Sequence, residues 1–290
     1  MKSIKIKTPA KINLALDVTG KREDGYHTLE TIFQTVSLYD IITVTMANND
    51  KIFITSNTNR VPRNEKNIAW KAVEAFCSYT GKKVGVHIHI EKRIPSQAGL
   101  GGGSSDGAAV LFALNRLTNA GLSRYELCKI GIKLGADVPF FFFGGTAYAS
   151  GIGEKLEPLK PIRKIPLVVA KGAGGISTAT AYQAIDSLEN PNHPKTNELK
   201  QVIETGGTVK QISSLCGNLF EDVTKLSAVS KIRAEMLNQG ALCSVMTGSG
   251  SAVFGIFDNV ATARKCCSVL RKYVSFAVCC ETYPKAMRII

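Results

Sequence analysis

Apolar and polar residues alternate from Lys5 to Val18, again from Thr28 to Val36, and again from Asp40 to Met46. A period of two predicts strands. The first run is expected to turn at Pro9-Ala10 and resume as Ile12 to Val18, and Ile52 to Ser56 reads as an edge strand. The period changes after Asn64. Ile68, Ala72, Phe76 and Tyr79 share one face of a helix expected from about Glu65 to Tyr79, capped by Asn64 and stopped by Gly81. Val84, Val86, Ile88 and Ile90 then alternate with Gly85, His87, His89 and Glu91, a half-buried strand. A second helical stripe follows at Ala108, Ala109, Leu111, Phe112, Leu114 and Leu117. Ser123-Arg124-Tyr125-Glu126 has capping-box spacing for a helix to about Leu134. Lys155 to Lys164, with Pro158 and Pro161, reads as a crossing between domains, which divides the chain into 1–155 and 156–290. Beyond it the order is strand Pro166–Ala170, several helices, strand Cys243–Met246, strand Ala252–Phe257, helix Val260–Tyr273 and strand Ser275–Glu281. Apart from the extra helices, that is β-α-β-β-α-β, a ferredoxin-like sandwich, so the chain is α+β.

Between the strand at Val84–Glu91 and the second helical stripe lies Pro95-Ser96-Gln97-Ala98-Gly99-Leu100-Gly101-Gly102-Gly103-Ser104-Ser105-Asp106. Strand, Gly-rich loop and helix N-terminus follow one another here. Glycine lets a ligand approach the main chain closely, and the first turn of a helix carries unpaired N–H groups and partial positive charge. The combination predicts an anion site, with phosphate the first candidate. Ser104 and Ser105 add hydroxyl donors, or one could meet a metal ion. A flexible linker would lack the apolar helical run that begins at once. The loop is not G-x-x-x-x-G-K-[ST], since no Lys follows a second Gly, and G-x-G-x-x-G fails at Ser104 when counted from Gly99. A β-branched residue at Gly102 is expected to fill the space phosphates need.

Composition narrows the classes. The chain has 290 residues, 44% hydrophobic and 20% charged, as expected of a packed globular protein. No apolar stretch is long enough to span a bilayer, and Met1 to Lys7 is followed by no apolar h-region, so a cytosolic protein without membrane partners is expected. The net charge of +13 raises nucleic acid as a partner, but the basic residues are scattered and no aromatic-basic platform accompanies them. A basic surface around an anionic substrate is the milder reading. Eight Cys, without C-x-x-C spacing, are expected as free thiols. His87 and His89 form an H-x-H pair with no third ligand in view. Asp137 stands beside Pro139 and four Phe, where an acid is rarely placed unless it is paired or working.

The P-x-x-A-G-L-G-G-G-S-S-D loop resembles the phosphate loop of the GHMP small-molecule kinases. Pro9-Ala10-Lys11-Ile12-Asn13-Leu14 and Met246-Thr247-Gly248-Ser249-Gly250-Ser251-Ala252 match the family's other two motifs, in its order. The resemblance implies an N-terminal domain of the ribosomal-protein type, a C-terminal ferredoxin-like domain, and an active site in the cleft between them. Gly20 to His27, Leu134 to Phe141, Gly151-x-Gly153-Glu154 and Ser177-Thr178-x-x-x-Tyr182 resemble the branch that phosphorylates the 2-hydroxyl of 4-diphosphocytidyl-2-C-methyl-D-erythritol on the non-mevalonate route to isoprenoid precursors. Gly107 and Thr247 depart from the commoner Ala and Ser of that branch.

The resemblance implies Asp137 as base and Lys11 as the ammonium that steadies the transferred phosphoryl group. It implies Pro95 through Ser105, with Asn67, Ile68 and Lys92 near adenine, as the ATP site. It places Tyr26, His27 and Tyr182 on cytosine, and Asn13 and Thr178 on the sugar or diphosphate. ATP with Mg²⁺ is the expected cofactor, with no metal ligand assigned, and a monomer or weak homodimer is expected. A GHMP kinase of another small alcohol, of the homoserine or mevalonate type, is the alternative, and Tyr26-His27 argues against it because those substrates carry no base to stack.

Overall fold

The run that begins at Ser3 does not turn at Pro9-Ala10. Strand β1 continues from Ser3 to Lys21 and pairs antiparallel along its length with β2, His27–Met46, which likewise unites two expected strands. The irregularity sits on the partner. Pro9 faces Tyr39 and Ala10 faces Val36, so Ser37 and Leu38 bulge from the ladder. Proline is tolerated at such a bulge because no ladder hydrogen bond is demanded of it there. The bulge also receives the end of the chain: Glu281 N–H donates to Ser37 Oγ at 3.0 Å, and Tyr283 N–H donates to the Thr35 carbonyl at 2.8 Å. The structure is a computed structural model and describes residues 2–175 and 177–290.

β3, Ile52–Ser56, lies at the sheet edge as expected. α1, Ile68–Thr80, starts later than the pattern suggests, because Asn67 and not Asn64 accepts the Ala69 N–H, while Gly81 ends it in the left-handed region at φ 69°. β4, Val86–Glu91, pairs with β2 and β3, and α2 spans Gly102–Leu117. α3, Arg124–Gly131, opens on the expected capping box but stops before Leu134, and the four Phe form a short helix, α4, Phe140–Phe143. β5, Thr146–Ser150, pairs with β2, and β6, Lys155–Pro158, pairs with β5, so the sheet runs past 155. Ile42, Val44, Ile88 and Ile90 from the strands meet Phe76, Leu111, Leu114, Phe140 and Phe141 from the helices in one core.

The second half begins with β7, Pro166–Lys171, followed by α5, Thr178–Ile185, α6, Thr196–Thr205, and α7, Val209–Ser214. β8, Gly217–Asn218, adds to the first sheet parallel to β1. Then come α8, Ser227–Asn238, β9, Cys243–Met246, β10, Ala252–Ile256, α9, Val260–Leu270, β11, Phe276–Glu281, and β12, Arg288–Ile289, which returns to β1. The second sheet is antiparallel throughout in the order β11-β7-β10-β9, as the β-α-β-β-α-β reading requires. α8 and α9 cover one face through Val229, Ile232 and Leu270 against Val168, Ala170 and Val253. The other face, Leu167, Val169, Phe254 and Ile256, packs on Ala10, Ile12 and Leu14 of β1 and on Leu199 and Ile203 of α6. The same strand that carries Lys11 and Asn13 on one side thus joins the two sheets with its other side, since successive side chains alternate.

Candidate active site

The three short motifs lie in one place. Lys11 N–H donates to Leu100 O at 3.0 Å, and Ala252 N–H donates to Ala98 O at 3.2 Å, so the glycine loop is strapped to both β1 and β10. Gly99 has φ 74°, and a Cβ on it would lie 2.0 Å from Thr247 O; a Cβ on Gly248 would lie 2.9 Å from Gly99 Cα. The two glycine turns approach as closely as backbones can, and no other residue fits either position. Gly101, at φ 67°, precedes α2 without supplying any side-chain cap, which leaves the first-turn N–H groups of that helix for a ligand.

Lys11 is buried, and its Nζ donates to Asn13 Oδ1 at 2.8 Å and lies 3.5 Å from Asp137 Oδ2. It also faces the Phe33 ring, 5.0 Å from its centroid. An ammonium removed from water needs such partners. Asp137 keeps 32% of its side chain accessible, so its carboxylate reaches the cavity while resting against Lys11. Asn13 is a knot in the framework. Its Oδ1 accepts from Lys11, from Thr247 Oγ1 at 3.1 Å and from Gly248 N–H at 3.0 Å, while its Nδ2 donates to Thr31 Oγ1 at 2.8 Å. It lines the cavity, but its amide is largely spent on holding Lys11 and the Thr247-Gly248 turn.

Two cavities flank this pair. One, of about 670 Å³, is lined by Lys11, Asp137, Tyr182, Phe220 and Gly248 among others; the second, of about 520 Å³, is lined by Pro95 through Ser104 with Asn67, Ile68 and Lys92. Gln97, Gly99, Gly101 and Thr178 line both, so the cavities communicate across the loop. Thr178 Oγ1 and Ser249 Oγ are hydrogen-bonded at 3.0 Å over that passage.

Of the residues expected on the second cavity, Ser105 lies elsewhere. It is buried, its Oγ donates to Pro9 O at 2.6 Å and meets Thr8 Oγ1 at 2.6 Å, so it fastens α2 to β1, and of these two serines only Ser104 lines the cavity. The Asn67 side chain caps α1 and donates to Pro62 O at 2.6 Å. Lys92 Nζ bridges Asp40 and Asp106, 2.6 Å from each. Asp40 also accepts the N–H groups of Arg93 and Ile94, whereas Asp106 Oδ1 has no partner among the described residues. Burial together with the neighbouring Asp40 pushes the Asp106 carboxyl up to about 8. This triad has no signature in sequence, because its members come from β2, the end of β4 and α2.

Tyr182 and Phe220 line the larger cavity; His27, which does not line it, stacks on Tyr182 from behind, with centroids 4.6 Å apart and planes 14° apart, and Tyr182 meets the edge of Phe220 at 5.0 Å. Burial, helped by the Asp137 charge, pushes the Tyr182 hydroxyl up to about 12, so it stays protonated. Asp186, unnoticed in the sequence, sits 2.6 Å from His27 Nε2 and 2.6 Å from Lys21 Nζ. Tyr26 does not join them: it is 63% exposed and outside the cavity lining. The His87–His89 pair bonds Thr55, and no cluster of three His, Cys, Asp or Glu with metal-ligand placement occurs among the described residues.

An anion-binding helix start strapped to a Lys–Asp pair, set between two sheets of this order, is the architecture of the GHMP kinases. Residues 67–145 match the model of the GHMP kinase N-terminal domain and residues 206–275 that of the C-terminal domain. The chain is 47% identical over 272 residues to the 4-diphosphocytidyl-2-C-methyl-D-erythritol kinase of Clostridium botulinum (strain Alaska E43 / Type E3), covering 93% of this chain and 96% of the relative. It is 44% identical to that of Caldicellulosiruptor bescii, covering 93% and 95%. A crystal structure of 4-(cytidine 5'-diphospho)-2C-methyl-D-erythritol kinase superposes with a TM-score of 0.81 at 33% identity, over 96% of this chain and 98% of that one. The chain belongs to the 4-diphosphocytidyl-2-C-methyl-D-erythritol kinase family.

Proposed function

We propose that this kinase transfers the γ-phosphate of ATP to the 2-hydroxyl of 4-diphosphocytidyl-2-C-methyl-D-erythritol, with Asp137 receiving the hydroxyl proton and Lys11 supplying positive charge at the transferred group. One observation carries the assignment: Lys11 holds its buried ammonium 3.5 Å from Asp137 while its aliphatic stem packs at Gly101, which lines both cavities. An acceptor in the larger cavity and a nucleotide in the smaller would meet at that pair. Phosphoryl transfer needs positioning, charge neutralisation and a base near the attacking hydroxyl. The open N–H groups at the start of α2 and the loop amides suit the phosphates; Asn67, Ile68 and Lys92 line the side suited to adenine.

Mg²⁺ would arrive with ATP and neutralise phosphate charge. The Ser96 and Ser104 hydroxyls and the Asp106 and Asp137 carboxyl groups are side-chain oxygens that line the two cavities, a set that suits an ion held mainly by phosphates and water. His27 and Tyr182 form the reading end for cytosine, with Tyr26 from the adjoining loop and Thr178 nearer the diphosphate. We place the division between domains in residues 159–165, after β6. A monomer or weak homodimer is proposed, and eight free thiols fit a reducing, cytosolic compartment. No helix among the described residues is long and apolar enough to cross a membrane.

The test is a coupled ADP-release assay with the cytidyl substrate and with methylerythritol phosphate. Turnover of the first and not the second is expected. Equal turnover would remove the cytidyl specificity and leave only the wider kinase class.

A further inference from the structure

We propose that Asp186 is the positioning residue behind the choice of cytosine over uracil: it holds the His27 proton on Nε2, so that Nδ1 meets the base as an acceptor. The inference rests on the reading of His27 and Tyr182 as the base-binding end of the cleft.

His27 Nε2 lies 2.6 Å from Asp186 Oδ1, and Lys21 Nζ donates to the other oxygen at 2.6 Å. With Lys21, then His27, bonded to it, the Asp186 carboxyl is held below its ordinary range and stays ionised. A carboxylate only accepts, so the hydrogen shared with Asp186 lies on Nε2, and in the neutral form of the ring Nδ1 carries none. Nδ1, which makes no hydrogen bond to any described residue, is left with a free lone pair. The ring cannot readily swing, because it lies flat on Tyr182, and Phe220 braces Tyr182 from the side. Cytosine presents an amino donor at the position where uracil presents a carbonyl acceptor. A fixed acceptor welcomes the first and repels the second.

Asp186 is exposed at the end of α5, so replacing it removes no core packing. Asp186→Asn is the informative change. An amide can donate to Nε2, which moves the imidazole hydrogen to Nδ1 and turns the acceptor into a donor. The preference should then fall, where a merely structural loss would weaken both substrates alike.

The experiment compares kcat/KM for the cytidyl substrate and its uridyl analogue in the wild type, Asp186→Asn, Asp186→Glu and His27→Ala, and reads the imidazole tautomer from histidine ¹⁵N spectra. Asp186→Asn is expected to cut the cytidyl-to-uridyl ratio about tenfold or more. The change should lie in kcat/KM for the acceptor, with KM for ATP held, and the His27 signal should move to the Nδ1–H form. Asp186→Glu should retain most of the preference. If His27→Ala relaxes the ratio while Asp186→Asn leaves it unchanged, the proposal is overturned and the base-binding reading stands. If neither variant alters KM for the cytidyl substrate, both are overturned.

Discussion

Lys11 and Asp137 differ in how much of their role the rest of the chain dictates. Lys11 is buried, with Asn13, Asp137 and the Phe33 ring around its ammonium, while Asp137 is partly open to the cavity. Asp137→Asn is nearly isosteric and should leave the thermal midpoint close to wild type while lowering kcat by about 10²–10⁴, the usual cost of a lost general base. Lys11→Ala should lower kcat strongly and also lower stability, since Asn13 loses a donor. If the two act as a unit, the double variant should be little worse than the worse single one in steady-state kinetics. Asp106 gives a different signature. Its carboxyl, pushed up from 3.8 to about 8 by burial, keeps in the folded state a proton that the unfolded chain releases. Its contribution to stability is therefore greatest below about pH 4 and is lost as pH rises towards 8. Asp106→Asn does not titrate, so urea unfolding should show the wild type losing ground to this variant between pH 5 and 8. At this scale the sequence exposes chemistry and hides partners. Asp137 stands out among Phe, and Lys11 lies within a motif. Asn13 meets Thr247, 234 residues further along the chain, and Asp186 is an ordinary acid after a helix. Nothing local to either position announces its contact.

The elements were read well where one periodicity governs them and poorly where pairing does. The four strands of the second sheet and its order were legible because alternation, helix and tight turn succeed one another locally. The bulge that lets β1 run through Pro9 was not, because it belongs to the partner strand. The glycine loop was legible as an element, but the direction of each glycine was not. The sequence suggests that a side chain at Gly102 fills phosphate space; the structure directs a Cβ there at Ile94 Cγ2, 2.9 Å away, and at Lys92 Nζ, 3.1 Å away. Gly102→Val should therefore lower stability by about 1–3 kcal/mol as overpacking does, and disturb the Lys92 triad, besides any loss of nucleotide affinity. Parallel thermal melts and nucleotide titrations separate the two effects. Gly107 is similarly tied to its neighbour, since a Cβ there would lie 2.5 Å from Ile68 Cγ2. Gly107→Ala should destabilise, and adding Ile68→Ala, which removes that methyl, should recover part of the loss.

Over the whole molecule, the cleft spans contributions that no single half supplies. The end proposed to read the base takes His27 from the start of β2 and Tyr182 from α5, while the proposed reacting end takes Lys11, Asp137 and the loop that Thr247 and Gly248 support. This joint construction was legible only through the order of three distant motifs; the packing of β1 against the second sheet, which brings them together, was not. A substrate held at both ends can use binding energy from its nucleotide half to place a hydroxyl beside Asp137, so loss of the base should impair turnover as well as affinity. The two tyrosines should then differ. Tyr182 lines the cavity and carries the His27 ring, whereas Tyr26 is exposed beside them. Stacking on one aromatic is worth about 1–3 kcal/mol, so Tyr182→Ala should raise KM for the cytidyl substrate by about 5- to 150-fold with KM for ATP little changed. Tyr182→Phe should keep most activity, because stacking uses the ring and the hydroxyl stays protonated throughout the neutral range. If Tyr26 closes over the base when substrate enters, Tyr26→Ala should match Tyr182→Ala in acceptor KM. If it stays where the structure has it, Tyr26→Ala should leave acceptor KM within about twofold of wild type, a change smaller than the loss of any one stacking contact. Steady-state titration of both substrates in the three variants decides between these outcomes, and an unchanged acceptor KM in both alanine variants would dismiss this end of the cleft as the cytosine site.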